Sequence, residues 1–537
     1  MQERRELTAR AVLAGLLVGA LLAAANLYLG LAVGLWDSGS ITTAVLTFAL
    51  LSVVRDAGPL ETNIAMTAAV ATGAMPAVAG FLGAIPALGL LGGARPAWWA
   101  LAAWAAALGA LGVGLALLLR ARLIEREQLP FPTGLATFEV IEAMHAGTRS
   151  LARARTLAVA ALLAAVVAWF RDGKPQLLPA QLVLPVASAL GIGVSISPLL
   201  FGVGALVGAS TALSLLFGSA CAWLALGPAL LSHEVAVGPW LVWPGVGLLV
   251  GAAAVSLLQQ AGAFAGAARD LLAARGSPRI FALAGLAAAV ALAAAWQLFG
   301  LNPLFGALAL LLSVLLGAVC GRAAGQTDVS PVSQMGQLTQ AIFGPATHGR
   351  VAANLGVGAL AGDVAQVGPT LWSLKTGFLL GASPRAQAIA ALWGTLAGAL
   401  ISAPMYALLA GAYGVPGPRL PAPSALQFKA IAEVVAGSAQ ALPPGAAVAA
   451  LTAFVVGAAL ALAAPKLGAR APQPMAMGIG FLLPFHAGVA VAAGALLWAA
   501  LGRRVKGWDG AVSAAGLVAG ESVAGLVVAL LSTAGLL

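Results

Sequence analysis

Of the 537 residues, 61% are hydrophobic and 8% charged, where a soluble domain carries roughly 25% charged residues. Apolar runs of about 20 residues, the length of a bilayer-crossing helix, recur from end to end. This excludes a soluble globular enzyme. It also removes nucleic acid as the reason for the net charge of +10, because the basic residues lie scattered between apolar runs, as in the cytoplasmic loops of membrane proteins. Cys221 and Cys320 sit in apolar runs without CxxC or Cys/His spacing, so neither a disulfide framework nor a metal site is expected.

Taken in chain order, Arg4, Arg5 and Arg10 precede a first span over Ala11–Leu35 and argue for a cytoplasmic N-terminus. A short segment, Ile41–Val54, is followed by Leu60–Leu91, which opens with Glu61, Thr62 and Asn63 and is interrupted at Pro76 and Pro86. Ala97–Leu119 is a clean span ending in a charged loop with Arg120, Arg122, Glu125, Arg126 and Glu127. Leu129–Ala143, LPFPTGLATFEVIEA, is too short and Pro-rich to cross unaided and reads as a re-entrant segment. Spans are expected over Leu157–Phe170, Leu177–Val194, Pro198–Leu230 as two helices, and Trp240–Ala268. Arg269–Arg279 reads as a junction between two halves, 1–275 and 276–537, of one membrane domain.

In the second half Ile280–Leu298 and Leu304–Val319 lead to the polar stretch Gly325–Gly344, GQTDVSPVSQMGQLTQAIFG. Ala353–Val364, a Lys-bearing segment through Gly377, and Ala386–Ala412 follow; Gly414–Ser424 is a Pro/Gly-rich loop leading into a short helix. The last spans are Ala446–Ala464, Met475–Leu501 and Gly510–Leu537. The expected fold is an all-α polytopic membrane protein with about 14–16 membrane segments, several short, re-entrant or broken. Ser40, Thr43 and Thr47 share the helical spacing of Ser330, Ser333 and Gln337, and Pro130-Phe-Pro132 has a counterpart in Pro472-Gln-Pro474. These pairs support two repeat-related halves, set against chance similarity between two apolar sequences.

Polar side chains are costly in such a chain and mark sites of function or of interhelical bonding. A helix beginning at Pro331 aligns Ser333, Gln337 and Gln340 on one face with Gln334 at its edge, and amides there can coordinate carboxylate or peptide groups. Asp363, Gln366, Lys375 and Thr376 form a second constellation. Lys375 is either a functional intramembrane cation or a side chain snorkelling from a helix end. Asp328, Asp363, Glu139 and Glu521 are candidate proton carriers, with a structural bond an equal reading for Glu521; Glu61 and Asn63 follow at lower weight, and His486 reads as packing. No HExxH, GxSxG or dense His/Asp/Glu cluster is present, so no catalytic or metal-ligating residue is assigned, and an enzyme or passive channel is disfavoured.

The stretches NLYLGLAVG (26–34), LETNIAMTAAVATG (60–73), EREQLPFPTGLAT (125–137), GQTDVSPVSQMGQLTQ (325–340), LKTGFLLGASPRAQ (374–387), MAMGIGFLLP (475–484) and AAGLVAGES (514–522) together resemble the oligopeptide transporter family, especially its yellow-stripe-like branch and bacterial relatives. The resemblance implies secondary active transport, generally proton-coupled uptake of small peptides or metal complexes of amino-acid-derived chelators. It implies no cofactor beyond the proton gradient, and residence in a bacterial-type inner membrane, with a homodimer as one allowed assembly. Substrate binding would fall to Ser333, Gln334, Gln337, Gln340, Lys375, Thr376 and Asn63. A carrier of another small solute on the same scaffold is the alternative. The chain departs from the family pattern at Ser330, where Asn is usual, and at Ser373, where an acid usually precedes LKTG.

Overall fold

A computed structural model describes the chain except residues 1–5, 55–56, 93–95, 147–148, 184–189, 191, 260–265, 267–270, 272–277, 328–331, 348, 436–441, 469–470 and 505–509. Ten helices among the described residues are long and apolar enough to cross a membrane. With the shorter helices between them they make an all-α polytopic membrane protein.

Short helices occur where the sequence predicts interrupted spans. The stretch from Pro59 divides into Pro59–Gly73, Met75–Val78 and Ala84–Gly89. The Leu-Pro-Phe segment is non-helical until Pro132, where Pro132–Ala146 begins. Val332–Phe343 and Val351–Leu360 are likewise short, and a 3₁₀ turn at Ala361–Asp363 leads into Val364–Leu380. A 15-residue helix such as Pro59–Gly73 rises only about 22 Å at ~1.5 Å per residue, less than the ~30 Å hydrocarbon core.

One expected span is different. Over Leu177–Val194 the described residues form a two-stranded antiparallel ribbon, Gln181–Val183 with Gly193–Ser195, in the register Gln181↔Ser195. Pro175 and Pro179 remove backbone N–H donors on the approach to this ribbon, which disfavours carrying the preceding helix through it. Pro198–Ser232, expected as two helices, is a 35-residue helical stretch in which two helices join across a kink. It has a non-helical residue at Gly208 and a π-turn at Cys221–Leu226.

The chain packs as two compact units, each built from several stretches. The first comprises Met1–Leu27, Leu35–Ala154 and Gln260–Ala407; the second comprises Tyr28–Gly34, Arg155–Gln259 and Leu408–Leu537. Each unit draws on both sequence halves, and the expected seam near 275 falls among residues outside the described set.

In the first unit Val364–Leu380 is the central element, packed by Pro59–Gly73, Trp98–Arg120, Pro132–Ala146 and Pro303–Thr327, and every residue from Val364 to Gly377 is buried. Helix Pro384–Tyr413 approaches Pro59–Gly73 at Gly394, where an added Cβ would lie 2.3 Å from the Ala68 carbonyl oxygen. Thr72 Oγ1 donates to the Gly394 carbonyl across this contact at 3.0 Å. Close backbone approach through small residues is how helices associate in lipid, where no hydrophobic force drives them together. In the second unit Pro198–Ala220 packs against Pro474–Leu482, Phe485–Arg504 and Gly510–Thr533, while Val237–Gln259 packs against Ala446–Leu467.

Gly394→Leu forces these helices apart. Its expected outcome is loss of about 2 kcal/mol or more of stability through overpacking, read as a lower melting temperature of purified protein in detergent.

Candidate functional site

The two most distinctive sequence motifs meet in the first unit. Lys375 Nζ donates to the Leu129 carbonyl at 2.9 Å, and Thr376 Oγ1 donates to the Gly134 carbonyl at 2.8 Å. Phe131 N donates to the Gly325 carbonyl at 2.9 Å. The LPFPTG backbone is thus held from two other helices, as irregular backbone in a membrane protein requires. The turn is tight: Gln128 and Phe131 have φ of 50° and 46°, a region costly for side chains of this size. At Gly134 any Cβ would lie 2.8 Å from the Trp372 carbonyl oxygen, so glycine is what allows the helices to touch.

Lys375 is 8% exposed, and its ammonium has the Leu129 carbonyl as its one partner among the described residues. An ammonium offers three donors. A buried cation with one carbonyl partner is therefore an electrostatically incomplete group, suited to an anionic ligand. Asp363, 1% exposed, sits in the 3₁₀ turn that breaks the helix; Ser313 Oγ donates to its Oδ2 at 3.2 Å, and Oδ1 has no hydrogen-bond partner among the described residues. Asn63 is fully buried with neither side-chain amide atom bonded to a described residue, and Thr370 Oγ1 and Gln366 Oε1 are also without partners among them. Buried polar atoms without a protein partner are where a water, ion or ligand is expected.

The Gln-rich helix is Val332–Phe343. Gln340 Nε2 donates to Asn354 Oδ1 at 3.0 Å, and Asn354 Nδ2 returns a bond to the Gln340 carbonyl at 2.9 Å. Gln337 is buried. Ser333 and Gln334 lie on this helix, their side chains outside the described set, and Asp328 lies outside the described residues altogether. Glu139 and Glu142 are exposed on Pro132–Ala146. Glu61 is buried and bonded by Thr8 Oγ1 at 2.7 Å and by Arg10 Nε at 2.9 Å.

Glu521 belongs to the second unit and to a different arrangement. Its carboxylate accepts from Arg171 Nη1 at 2.8 Å, from Ser197 Oγ at 2.9 and 3.0 Å, and from Leu199 N at 2.7 Å. Leu199 opens helix Pro198–Ala220, whose N-cap is Ser197, so the carboxylate also lies at the positive end of a helix. Arg171 binds Asp172 twice, at 2.6 and 2.9 Å, and donates to the Ile196 carbonyl at 2.9 Å; Arg419 pairs with Asp172 at 3.1 Å. His486 Nδ1 and Ser195 Oγ are 2.7 Å apart. Sequence reasoning did not find Arg171, Asp172 or Arg419, and read His486 as packing. The one available signal was a buried acid at Glu521 in need of a cation.

These features define a class: a polytopic helical membrane protein whose broken helices and incompletely paired buried charges are those of a solute carrier. A family model described as OPT oligopeptide transporter protein matches residues 6–532. The chain belongs to that family. It is 34% identical over 205 residues to the "Putative oligopeptide transporter YGL114W" of Saccharomyces cerevisiae, covering 37% of this chain and 27% of that protein. It is 31% identical over 226 residues to the "Probable metal-nicotianamine transporter YSL10" of Oryza sativa subsp. japonica, covering 39% and 33% respectively. A "Putative oligopeptide transporter" of Haemophilus influenzae is 29% identical over 200 residues, 37% of this chain and 31% of that one. The chain thus spans about a third or less of the curated relatives it matches.

Glu521→Ala removes one of the two carboxylates on buried Arg171 and takes the acceptor from Ser197 Oγ and Leu199 N. Breaking a buried pair from one side costs about 3–5 kcal/mol, so the variant is expected to melt well below the parent in detergent, as measured by differential scanning fluorimetry.

Proposed function

We propose that this protein is a secondary active transporter, and not an enzyme, that takes up small peptides or amino-acid-derived metal chelates with protons as the coupling ion. The observation that carries this reading is Lys375: a buried ammonium, bonded to one backbone carbonyl at the junction of two family motifs. Peptides and amino-acid-derived chelators share a carboxylate, which is the group such a cation lacks. The names of the relatives, an oligopeptide transporter and a metal-nicotianamine transporter, support the same substrate classes.

In this reading Asn63, Thr376 and the Gln334, Gln337 and Gln340 face with Ser333 complete the substrate site. Asp363 is the preferred proton carrier. It is buried with one oxygen unengaged, while Glu521 is occupied by an arginine, a hydroxyl and a backbone donor. Asp328 and Glu139 complete the coupling candidates. The N-terminus faces the cytoplasm of a bacterial-type inner membrane, two copies forming a homodimer, and the two repeat-related halves meet near residue 275.

Uptake of a labelled tripeptide panel and of a ferric amino-acid chelate into proteoliposomes tests this. The expected result is accumulation stimulated by an inward proton gradient. Asp363→Asn is expected to abolish accumulation while retaining substrate counterflow, and Lys375→Ala to lower both about tenfold or more, the worth of one lost charge-assisted bond. Gradient-insensitive accumulation defeats the coupling; full uptake by Lys375→Ala defeats the assigned substrate cation.

A further inference from the structure

The second unit contains a cavity of about 340 Å³, near the lower end of the roughly 300–1,000 Å³ typical of small-molecule sites. It is lined by Arg419, Tyr28, His486, Ser195 and the Arg171–Glu521 pair. We propose that this cavity is a second binding site, distinct from the Lys375 region, for a small organic carboxylate of amino-acid to dipeptide size.

The charges in the wall are not equally available. The side chains of Asp172 and Glu521 are 1% and 3% exposed and are turned onto Arg171, itself 6% exposed. Arg419 is different: its side chain is 35% exposed, with Nη2 3.1 Å from Asp172 Oδ1. Its guanidinium lies 5.2 Å from the Tyr413 ring centroid, and Tyr413 is itself tied to the Gly525 carbonyl at 2.7 Å. Asp172 and Tyr413 thus hold the guanidinium at the cavity wall, and its five N–H donors exceed what these contacts use. A fixed planar fork is the group that pairs with a carboxylate through two bonds. Formally the wall is neutral, but the charge a ligand can reach is positive.

Two further polar groups face the same space. Tyr28 is 4% exposed, lines the cavity and makes no hydrogen bond to another described residue through its hydroxyl. His486 has Nδ1 engaged with Ser195 Oγ, and its Nε2 has no partner among the described residues. A guanidinium and a phenol facing one small space suit a carboxylate; a ligand bearing only an amine would meet the Arg419 cation.

The experiment is equilibrium dialysis of the full-length protein in detergent with two radiolabelled probes, Ala-Ala and succinate. It is done in the Lys375→Ala background so that binding at the first unit does not contribute. Saturable binding of at least one probe is expected, unaffected by excess Ala-Ala amide, which lacks the carboxylate. Arg419→Gln added to that background is expected to weaken binding about tenfold or more, and Tyr28→Phe, which removes only the hydroxyl, several-fold. Preference for Ala-Ala assigns a peptide ligand; preference for succinate assigns a plain dicarboxylate. Absence of binding by both probes overturns the proposal, as does equal binding by monodisperse Arg419→Gln and Tyr28→Phe proteins. A transport assay that fails while this binding persists overturns the uptake reading and leaves this site standing.

Discussion

Hydrocarbon offers the peptide backbone nothing to bond to, so each interruption of a helix in this chain must be closed by another part of the chain. The LPFPTG turn is where that constraint is most visible. Its carbonyls at Leu129 and Gly134 are taken by Lys375 and Thr376, and its Phe131 amide by Gly325. Remove those partners and the turn, with two side-chain-bearing residues at positive φ, has no reason to persist. The central helix Val364–Leu380 is therefore both the core of the first unit and the support for its irregular backbone.

The two units bury cations in opposite ways. Arg171 is enclosed by two carboxylates and a carbonyl, with Ser197 and a helix N-terminus completing the shell around Glu521. An arginine with its fork filled is a fixed part of the architecture. Lys375 is left with one backbone carbonyl, and Asp363 with one bonded oxygen. Such groups lower stability unless something binds them, which is the usual trade at sites that act on a ligand. Arg419 stands between these cases, anchored by Asp172 and Tyr413 but partly open to a cavity.

How legible each feature was depends on whether its signal is local. Broken helices follow from Pro and Gly positions, and the break at Asp363 lies in a stretch whose polar residues are visible in the chain. The strands Gln181–Val183 and Gly193–Ser195 lie where a span was expected, because an apolar run of that length looks helical by composition while its prolines disfavour a helix. Arg171, Asp172 and Arg419 were invisible for another reason. They sit at a helix end and in a loop, where charged residues are ordinary, and Glu521, the partner of Arg171, lies 350 positions away from it.

Composition and run length by themselves determined that this is an all-α membrane protein, since the cost of placing charge in hydrocarbon is paid residue by residue. Ordered motifs along the chain likewise carried the family. Only the tertiary structure decided which buried charges are satisfied. Glu61 and Glu521, alike in sequence as lone acids in apolar helices, are bound by Arg10 and Arg171, while Asp363 retains an unpartnered oxygen. Pairing depends on distance in space between residues far apart in the chain, and no local pattern encodes that.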